Sequence, residues 1–110
     1  MNITRGDTKS FKFQRKSEGQ PITTEADSIY FTVKYSNSVE DVLIQKTISD
    51  MIFDENYFYH FTILPSDTNG LEYGNYSYDI EVKVGEDYVK TISKGTFTIE
   101  EETTFAENEV

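Results

Sequence analysis

The sequence predicts an all-β domain folded as an antiparallel β-sandwich. Short apolar stretches recur along the chain, and Gly, Pro, Asn and Asp separate them, which indicates roughly seven strands joined by turns. No stretch shows the 3.6-residue apolar spacing of an amphipathic helix. A five-stranded barrel of the OB type is the alternative architecture for the same pattern.

The stretch NYSYDIEVKV, residues 75–84, predicts the clearest strand. Its even positions from Tyr76 to Val84 are apolar or aromatic, and its odd positions from Ser77 to Lys83 are polar. Successive strand side chains point to opposite faces, so the even positions are expected in the core and the odd positions at the surface.

Five further stretches predict strands. They are TKSFKFQRK (8–16), SIYFTVKY (28–35), VLIQKTIS (42–49), YFYHFTI (57–63) and YVKTISKGTFTI (88–99). Residues 42–49 are mixed, because Leu43 and Ile44 are adjacent, which leaves a bulge or burial on both faces open, and both faces of residues 57–63 are partly apolar. In the second stretch, Ile29, Phe31, Val33 and Tyr35 are expected to share one face.

Turns are predicted where Gly, Pro, Asp and Asn cluster. Residues 17–21 and 50–56 are expected to form turns, and residues 85–87 a tight hairpin. Residues 64–74 favour a turn or one short helical turn. Gly95, inside the last predicted strand, indicates a bulge or bend.

The composition is that of one small domain with an aromatic core. The chain has 110 residues, with eight Phe, eight Tyr and no Trp or Cys. Without Cys there is no disulfide framework or thiolate metal site. The absence of an apolar leader or a long apolar segment predicts a protein made in the cytoplasm without a signal peptide and without a membrane partner.

The charge is large and unevenly distributed. The net charge is -10, which argues against nucleic acid as a partner, since phosphate binding needs clustered Lys and Arg. Residues 1–16 nevertheless carry five cations and one carboxylate, so the remaining residues sum to -14. Such a basic run is typical of a strand edge protected by lysines, and it would also steer one subunit toward an acidic surface.

Residues 1–99 are predicted to form the sandwich domain. Residues 100–110, EEETTFAENEV, contain five Glu and few apolar side chains. This composition predicts an acidic, flexible C-terminal tail.

Two short motifs resemble functional signals, and we interpret both as structural. Arg5, Gly6 and Asp7 form an RGD triplet directly before a predicted strand, where Gly and Asp suit a turn. His60 is the single histidine, and a lone histidine on the less apolar face of a strand is expected to be a surface residue.

The acidic loops Asp54 to Asn56 and Ser66 to Gly70 carry oxygen ligands suited to Ca²⁺, but neither has the EF-hand spacing. Asp and Asn also favour solvated turns, which is the interpretation we adopt. No convergent catalytic set is present, so we predict no enzyme activity, no cofactor, no metal and no catalytic residue.

Five tyrosines form the candidate partner surface, because a core this small need not hold all of them. They are Tyr30, Tyr35, Tyr57, Tyr73 and Tyr88. Tyrosine is enriched in protein interfaces and where sugars stack. Positions at the rim of the core are the structural alternative, and a carbohydrate-binding module is the functional alternative.

Three stretches resemble a known family. RGDTKSFKFQ, GQPITTEADSIYFTVK and DTNGLEYGNYSYDIEVKVGEDYVKTISKGTFTI are similar to the immunoglobulin-like N-terminal domain of phage baseplate upper proteins of the BppU type and of related small prophage proteins of Firmicutes. The resemblance covers about residues 5 to 100 and consists of turn and strand signatures.

This resemblance implies an immunoglobulin-like sandwich that serves as a non-enzymatic structural component of a virion. Its partners would be other phage structural proteins, with self-association into a homo-oligomer left open. The resemblance does not extend to a receptor-binding head, so baseplate, other tail and head locations all stay open.

Overall fold

The computed structural model describes residues 1–36 and 41–102. Within these residues the chain is mostly strand, with one 3-10 turn at Ile48–Asp50 and one short helix, α1, at Pro65–Thr68. The strands are β1 (Asn2–Thr4), β2 (Lys9–Gln14), β3 (Lys16–Ser17), β4 (Gln20–Pro21), β5 (Ser28–Lys34), β6 (Ile44–Thr47), β7 (Ile52–Phe53), β8 (Phe58–Ile63), β9 (Gly74–Val84) and β10 (Tyr88–Glu100).

The strands form two main sheets that face each other. One sheet has five strands in the order β1-β10-β9-β5-β6, the other has three in the order β2-β8-β7, and β3 and β4 form a small separate hairpin. A five-stranded sheet ending β10-β9-β5-β6, packed on β2-β8-β7, is the arrangement of an immunoglobulin-like sandwich. The predicted all-β sandwich is confirmed.

One strand pair departs from the predicted antiparallel arrangement. β1 runs parallel to the end of β10, with Asn2 opposite Thr98 and Thr4 opposite Glu100. The other strand pairs in the described ranges are antiparallel. The first strand therefore lies beside the last and covers only the final part of β10.

Aromatic rings fill the space between the sheets. Phe31 of β5 and Phe61 of β8 are buried, and their ring centroids are 4.6 Å apart across the sandwich. Phe97 of β10 packs against Phe31 at 6.2 Å, and Phe11 of β2 packs against Phe61 at 5.8 Å. Large rings bury much area per residue, which suits a chain with 36% hydrophobic residues.

A tyrosine fixes the turn that precedes β9. Tyr76 is buried, and its hydroxyl donates to the carbonyl oxygen of Glu72 at 2.5 Å. This arrangement is the tyrosine corner of immunoglobulin-like domains, in which a tyrosine near the start of the equivalent strand bonds to backbone just upstream. Burial raises the pKa of Tyr76 above its ordinary value, so the hydroxyl stays a donor.

The predicted registers of β5 and β9 are confirmed along most of each strand, but Val84, expected in the core, is exposed at the end of β9. In β9, Tyr76, Ile80 and Val82 are buried, and in β5 Ile29, Phe31 and Val33 are buried. The core consists of buried apolar residues from both sheets and the segments between them. They are Ile3, Ala26, Ile29, Phe31, Val33, Ile44, Tyr59, Phe61, Ile63, Tyr76, Ile80, Val82, Phe97 and Ile99.

Two local predictions are wrong. Residues 50–56 were expected to form only a turn, but Ile52 and Phe53 form β7 against β8, and the ring of Phe53 lies 4.6 Å from that of Tyr59. The bulge in β10 lies between Thr91 and Ser93, not at Gly95. A Cβ on Gly95 would come within 3.3 Å of the Tyr78 ring, so this glycine makes room for an aromatic side chain on the neighbouring strand.

The end of the chain is described only in part. Of the predicted tail, residues 100–102 are described: Glu100 ends β10, and Glu102 bonds to Arg5. The rest of that prediction, for residues 103–110, lies outside the described residues, as do residues 37–40 of the loop after β5. In the ranges that the structure describes, no helix has the length and apolar character to cross a membrane.

The register of β9 can be tested by a matched pair of substitutions. Ile80→Asp should destabilise the fold by about 3 to 5 kcal/mol, because it buries an unpaired charge. Glu81→Ala, on the opposite face, should change stability by less than about 0.5 kcal/mol. Urea denaturation followed by circular dichroism measures both, and similar losses would show that the assigned faces are wrong.

The tyrosine corner predicts a loss of about 1 kcal/mol for Tyr76→Phe, because the substitution removes one buried hydrogen bond and leaves the ring in place. Tyr30→Phe is the control, since Tyr30 is half-buried on the outer face of β5. A thermal or urea midpoint unchanged by Tyr76→Phe would contradict a structural role for this hydroxyl.

Candidate functional site

One side of the sandwich leaves strand backbone uncovered. β1 pairs with β10 only at residues 98–100, so in the described chain no strand lies outside the part of β10 that precedes them. We call residues 88–96 the β10 edge. β2, which pairs only with β8 among the described strands, is the neighbouring edge of the other sheet. Unpaired edges offer backbone donors and acceptors to another strand.

Hydrogen bonds near β1 show which β10 residues point their backbone N–H and C=O groups away from β9. The Thr98 amide donates to the Met1 carbonyl at 2.8 Å, and the Thr96 carbonyl accepts from the N-terminal amine. Both N–H and C=O of one strand residue point to the same side, and this side alternates along the strand. Thr96 and Lys94 therefore point their backbone groups away from β9.

The bulge reverses this alternation in the first part of the β10 edge. The Lys83 carbonyl accepts from the Asp27 amide, so Lys83 of β9 points its backbone toward β5. Val89, which lies opposite Lys83, consequently points its own backbone outward, and so does Thr91. The outward backbone groups in the β10 edge thus belong to Val89, Thr91, Lys94 and Thr96.

A groove of about 290 Å³ lies between this edge and the segment that follows β2. Arg15, Lys16 and Lys90 supply its charge, and Phe13 and Tyr88 supply its aromatic walls. None of the described residues that line the groove is Asp or Glu, although the chain has a net charge of -10. We call this feature the basic groove.

Arg15 is the buried cation of the basic groove. Its side chain is 8% exposed, and one terminal nitrogen donates to the Thr24 carbonyl oxygen at 2.6 Å. Its Nε is buried and has no hydrogen-bond partner among the described residues. No carboxylate in residues 1–36 and 41–102 forms an ion pair with it. A buried guanidinium without a counter-charge is costly.

Sequence reasoning missed Arg15, although a signal was present. Phe11 and Phe13 occupy the odd, inward positions of β2, and Arg15 continues the same parity one step beyond the strand. The residue was counted only as part of the basic run. A cation on the apolar face of a strand is the pattern that would have singled it out.

The five candidate tyrosines do not form one surface. In the described structure no ring contact joins any two of them: the Tyr35 ring is tilted against that of Tyr76 at 5.5 Å, and Tyr57 packs on Phe53 at 6.0 Å. Tyr30 lies under Lys83 on the outer face of β5, and Tyr73 lies under Arg5. Of the five, only Tyr88 lines the basic groove.

His60 lies in β8 and bonds to Asp54, which holds together the turn before that strand. One carboxylate oxygen of Asp54 accepts the amides of Asn56 and Phe58, and the other lies 2.6 Å from His60 Nε2. The hydrogen bond from His60, followed by that from the Phe58 amide, lowers the pKa of Asp54 below its ordinary value. The carboxylate stabilises the turn, in which Tyr57 has a φ of 68°.

The second acidic loop also uses its carboxylate within the fold. Asp67 accepts the Leu64 amide at 2.8 Å at the start of α1 and forms an ion pair with Lys46 at 2.8 Å. Within the described residues no group of three or more His, Asp or Glu side chains is placed to hold a metal ion.

The RGD triplet lies where the segment after β1 meets the end of the described chain at Glu102. Arg5 donates to Glu102 at 2.7 Å and to the Tyr73 hydroxyl at 2.9 Å, and its guanidinium lies 4.4 Å from the Tyr73 ring centroid. The Gly6 amide donates to the buried Thr68 hydroxyl. The Arg5 hydrogen bond lowers the pKa of Glu102. Arg5 is therefore committed to intramolecular contacts.

The fold and the open edge define an immunoglobulin-like sandwich with an uncovered side. The chain matches no protein-family model, and no curated protein matches it significantly. The resemblance to phage baseplate proteins thus stays a prediction.

The Asp54 turn predicts a pH dependence of stability. Because the folded pKa of Asp54 is lowered, its contribution is present above the ordinary carboxyl pKa of about 3.9 and is lost as the pH falls through the folded value. Asp54→Asn should therefore lower the melting temperature at neutral pH, and the difference from wild type should shrink in acid.

Thermal denaturation from about pH 3 to about pH 7 measures this difference, because the range spans the carboxyl titration. Glu55→Gln, in the same exposed loop, is the control variant. A difference between wild type and Asp54→Asn that does not change with pH would contradict the assigned role.

Proposed function

We propose that the protein is a non-enzymatic structural component of a phage or prophage particle and that it binds other virion proteins through the β10 edge. The observation that carries this proposal is the outward backbone of Val89, Thr91 and Lys94, which no strand in the described chain covers. Strand addition to such an edge is a common mode of protein recognition, in which main-chain hydrogen bonds provide affinity.

The side chains of the edge support a binding role. Tyr88 and Val89 are 50% and 54% exposed, so an apolar and aromatic surface adjoins the open backbone. Lys90, Lys94 and the bulge at Ile92 are features that natural proteins use to limit pairing between identical edges. Because pairing with a second identical edge is limited, the β10 edge stays available for a partner strand whose charge differs from its own.

The location in a virion comes from the family resemblance. Immunoglobulin-like sandwiches host many functions, so the fold alone does not select one. The turn and strand signatures of residues 5–100 are similar to those of a baseplate domain, and an exposed edge is suited to joining one subunit to another.

The carbohydrate-binding alternative receives less support. A concavity of about 550 Å³ lies on the outer face of β5, β9 and β10, and one aromatic residue, Tyr78, is among its described lining residues. That ring packs toward the core, 6.0 Å from Phe31. The five candidate tyrosines are spread over different parts of the fold, and two of them, Tyr30 and Tyr57, are half-buried, so they offer a sugar no shared platform.

The proposal predicts that blocking the edge prevents assembly. Val89→Pro removes an outward N–H and leaves the ladder with β9 intact, whereas Val89→Thr loses the apolar side chain and keeps the N–H. In particles induced from a prophage that encodes the protein, Val89→Pro should be incorporated at about one tenth of the wild-type level or less. A tenfold loss of affinity corresponds to about 1.4 kcal/mol of binding free energy.

Quantitative mass spectrometry of purified particles measures incorporation, and circular dichroism confirms that both variants fold. Val89→Thr should assemble much better than Val89→Pro. Absence of the wild-type protein from the particles would overturn the virion role. Equal incorporation of wild type and Val89→Pro would overturn the role of the edge.

A further inference from the structure

We propose that the basic groove binds a carboxylate side chain of an acidic, extended partner segment that adds to the β10 edge. This inference rests on the proposed function and specifies the chemistry of its partner. Arg15 carries the argument, because it is more than nine-tenths buried, lines the groove and has an Nε with no partner among the described residues.

The unsatisfied donor calls for an acceptor from outside the described chain. A guanidinium binds a carboxylate through parallel N–H donors, and charge-assisted hydrogen bonds of this kind are the strong ones. One terminal nitrogen of Arg15 is already held by the Thr24 carbonyl, so the side chain is fixed in position before a ligand arrives. A carboxylate would satisfy Nε and neutralise the buried charge.

The surrounding charges favour the same ligand. Lys16 and Lys90 line the groove with Arg15, and among the described residues no carboxylate lines it. On a chain with a net charge of -10, a groove with three cations is a local exception. An anionic segment would be repelled by most of the surface and attracted here, so charge would select both the partner and its position.

The fold explains why the acidic side chain would belong to an added strand. Side chains alternate across a strand, so a segment paired with the β10 edge would place every second residue toward the groove side. Tyr88 and Lys90 of β10 line that side. A segment with acidic residues at alternate positions would therefore meet Lys90 and Arg15 while its backbone bonds to Val89 and Thr91.

A second copy of the chain fits this edge less well. Pairing of two β10 edges would bring Lys90 and Lys94 of both copies into one sheet, and like charges on neighbouring strands are destabilising. The proposal accordingly commits to a different, acidic segment as the occupant.

The test uses the folded protein and a fluorescein-labelled peptide, TETETETET with blocked ends, which presents Glu at alternate positions. Fluorescence anisotropy should show saturable binding that weakens as salt is raised. The peptide with Gln in place of every Glu should bind at least about tenfold more weakly, because it lacks the charge-assisted bonds.

Variants of the protein locate the binding. Lys90→Gln and Lys16→Gln should each weaken peptide binding by about two- to fivefold, the range of a partly exposed ion pair. Lys12→Gln is the matched control, because Lys12 is exposed on the opposite face of β2, over the Phe58 ring. Arg15→Lys should weaken binding by about thirtyfold or more.

Two-dimensional NMR supplies an independent readout if Arg15→Lys does not fold. In wild-type protein, the Arg15 Nε–H signal should shift on addition of the Glu peptide and stay unchanged with the Gln peptide. Binding that is insensitive to the Glu to Gln exchange, or that Lys12→Gln weakens as much as Lys90→Gln, would overturn the inference.

Sedimentation separates this inference from self-association and from the proposed function. A dimer of the protein alone, dissociated by Val89→Pro, would assign the edge to a second copy and overturn the acidic partner. Normal incorporation of wild type into particles, together with no binding of the Glu peptide, would overturn this inference and leave the virion role standing.

Discussion

The contact between the Phe31 and Phe61 rings is the interaction on which the rest of the structure depends. It joins β5 of the five-stranded sheet to β8, the middle strand of the three-stranded sheet, at 4.6 Å, and both rings are buried. Phe97 and Phe11 extend the cluster to the strands on the open side. A chain without Trp or disulfides has few other means of holding two sheets at a fixed separation, so ring packing sets where each neighbouring strand lies.

The same packing produces the open side. The inward row of β2 begins with Phe11 and Phe13 and continues to Arg15, so a guanidinium occupies a place that an apolar side chain would take in a closed core. β1 covers only the last residues of β10, and the groove remains between the two edges. The β10 edge and the buried Arg15 thus both follow from one feature, which is that the two sheets close over only part of the length of the sandwich.

Much of the fold follows from local sequence. Alternation predicts the faces of β5 and β9, and Pro65 and Asp67 predict the short turn at α1. Elements that depend on distant partners could not be predicted: β7 exists because Phe53 packs on Tyr59 of β8. The candidate site was harder to predict, because an unsatisfied Arg15 and an uncovered β10 become visible only when distant strands are placed beside each other.

The parallel pairing of β1 with the end of β10 has a mechanical consequence. Amides of Arg5 and Thr98 bond across this pair at 3.0 and 2.8 Å, and the two strands run in the same direction. A pull that draws residue 1 and residue 102 apart would load these bonds together in shear, and Arg5 and Glu102 would share the load through their ion pair. Bonds that must break simultaneously resist tension better than bonds that open one after another, so this short strand pair would act as a clamp under tension.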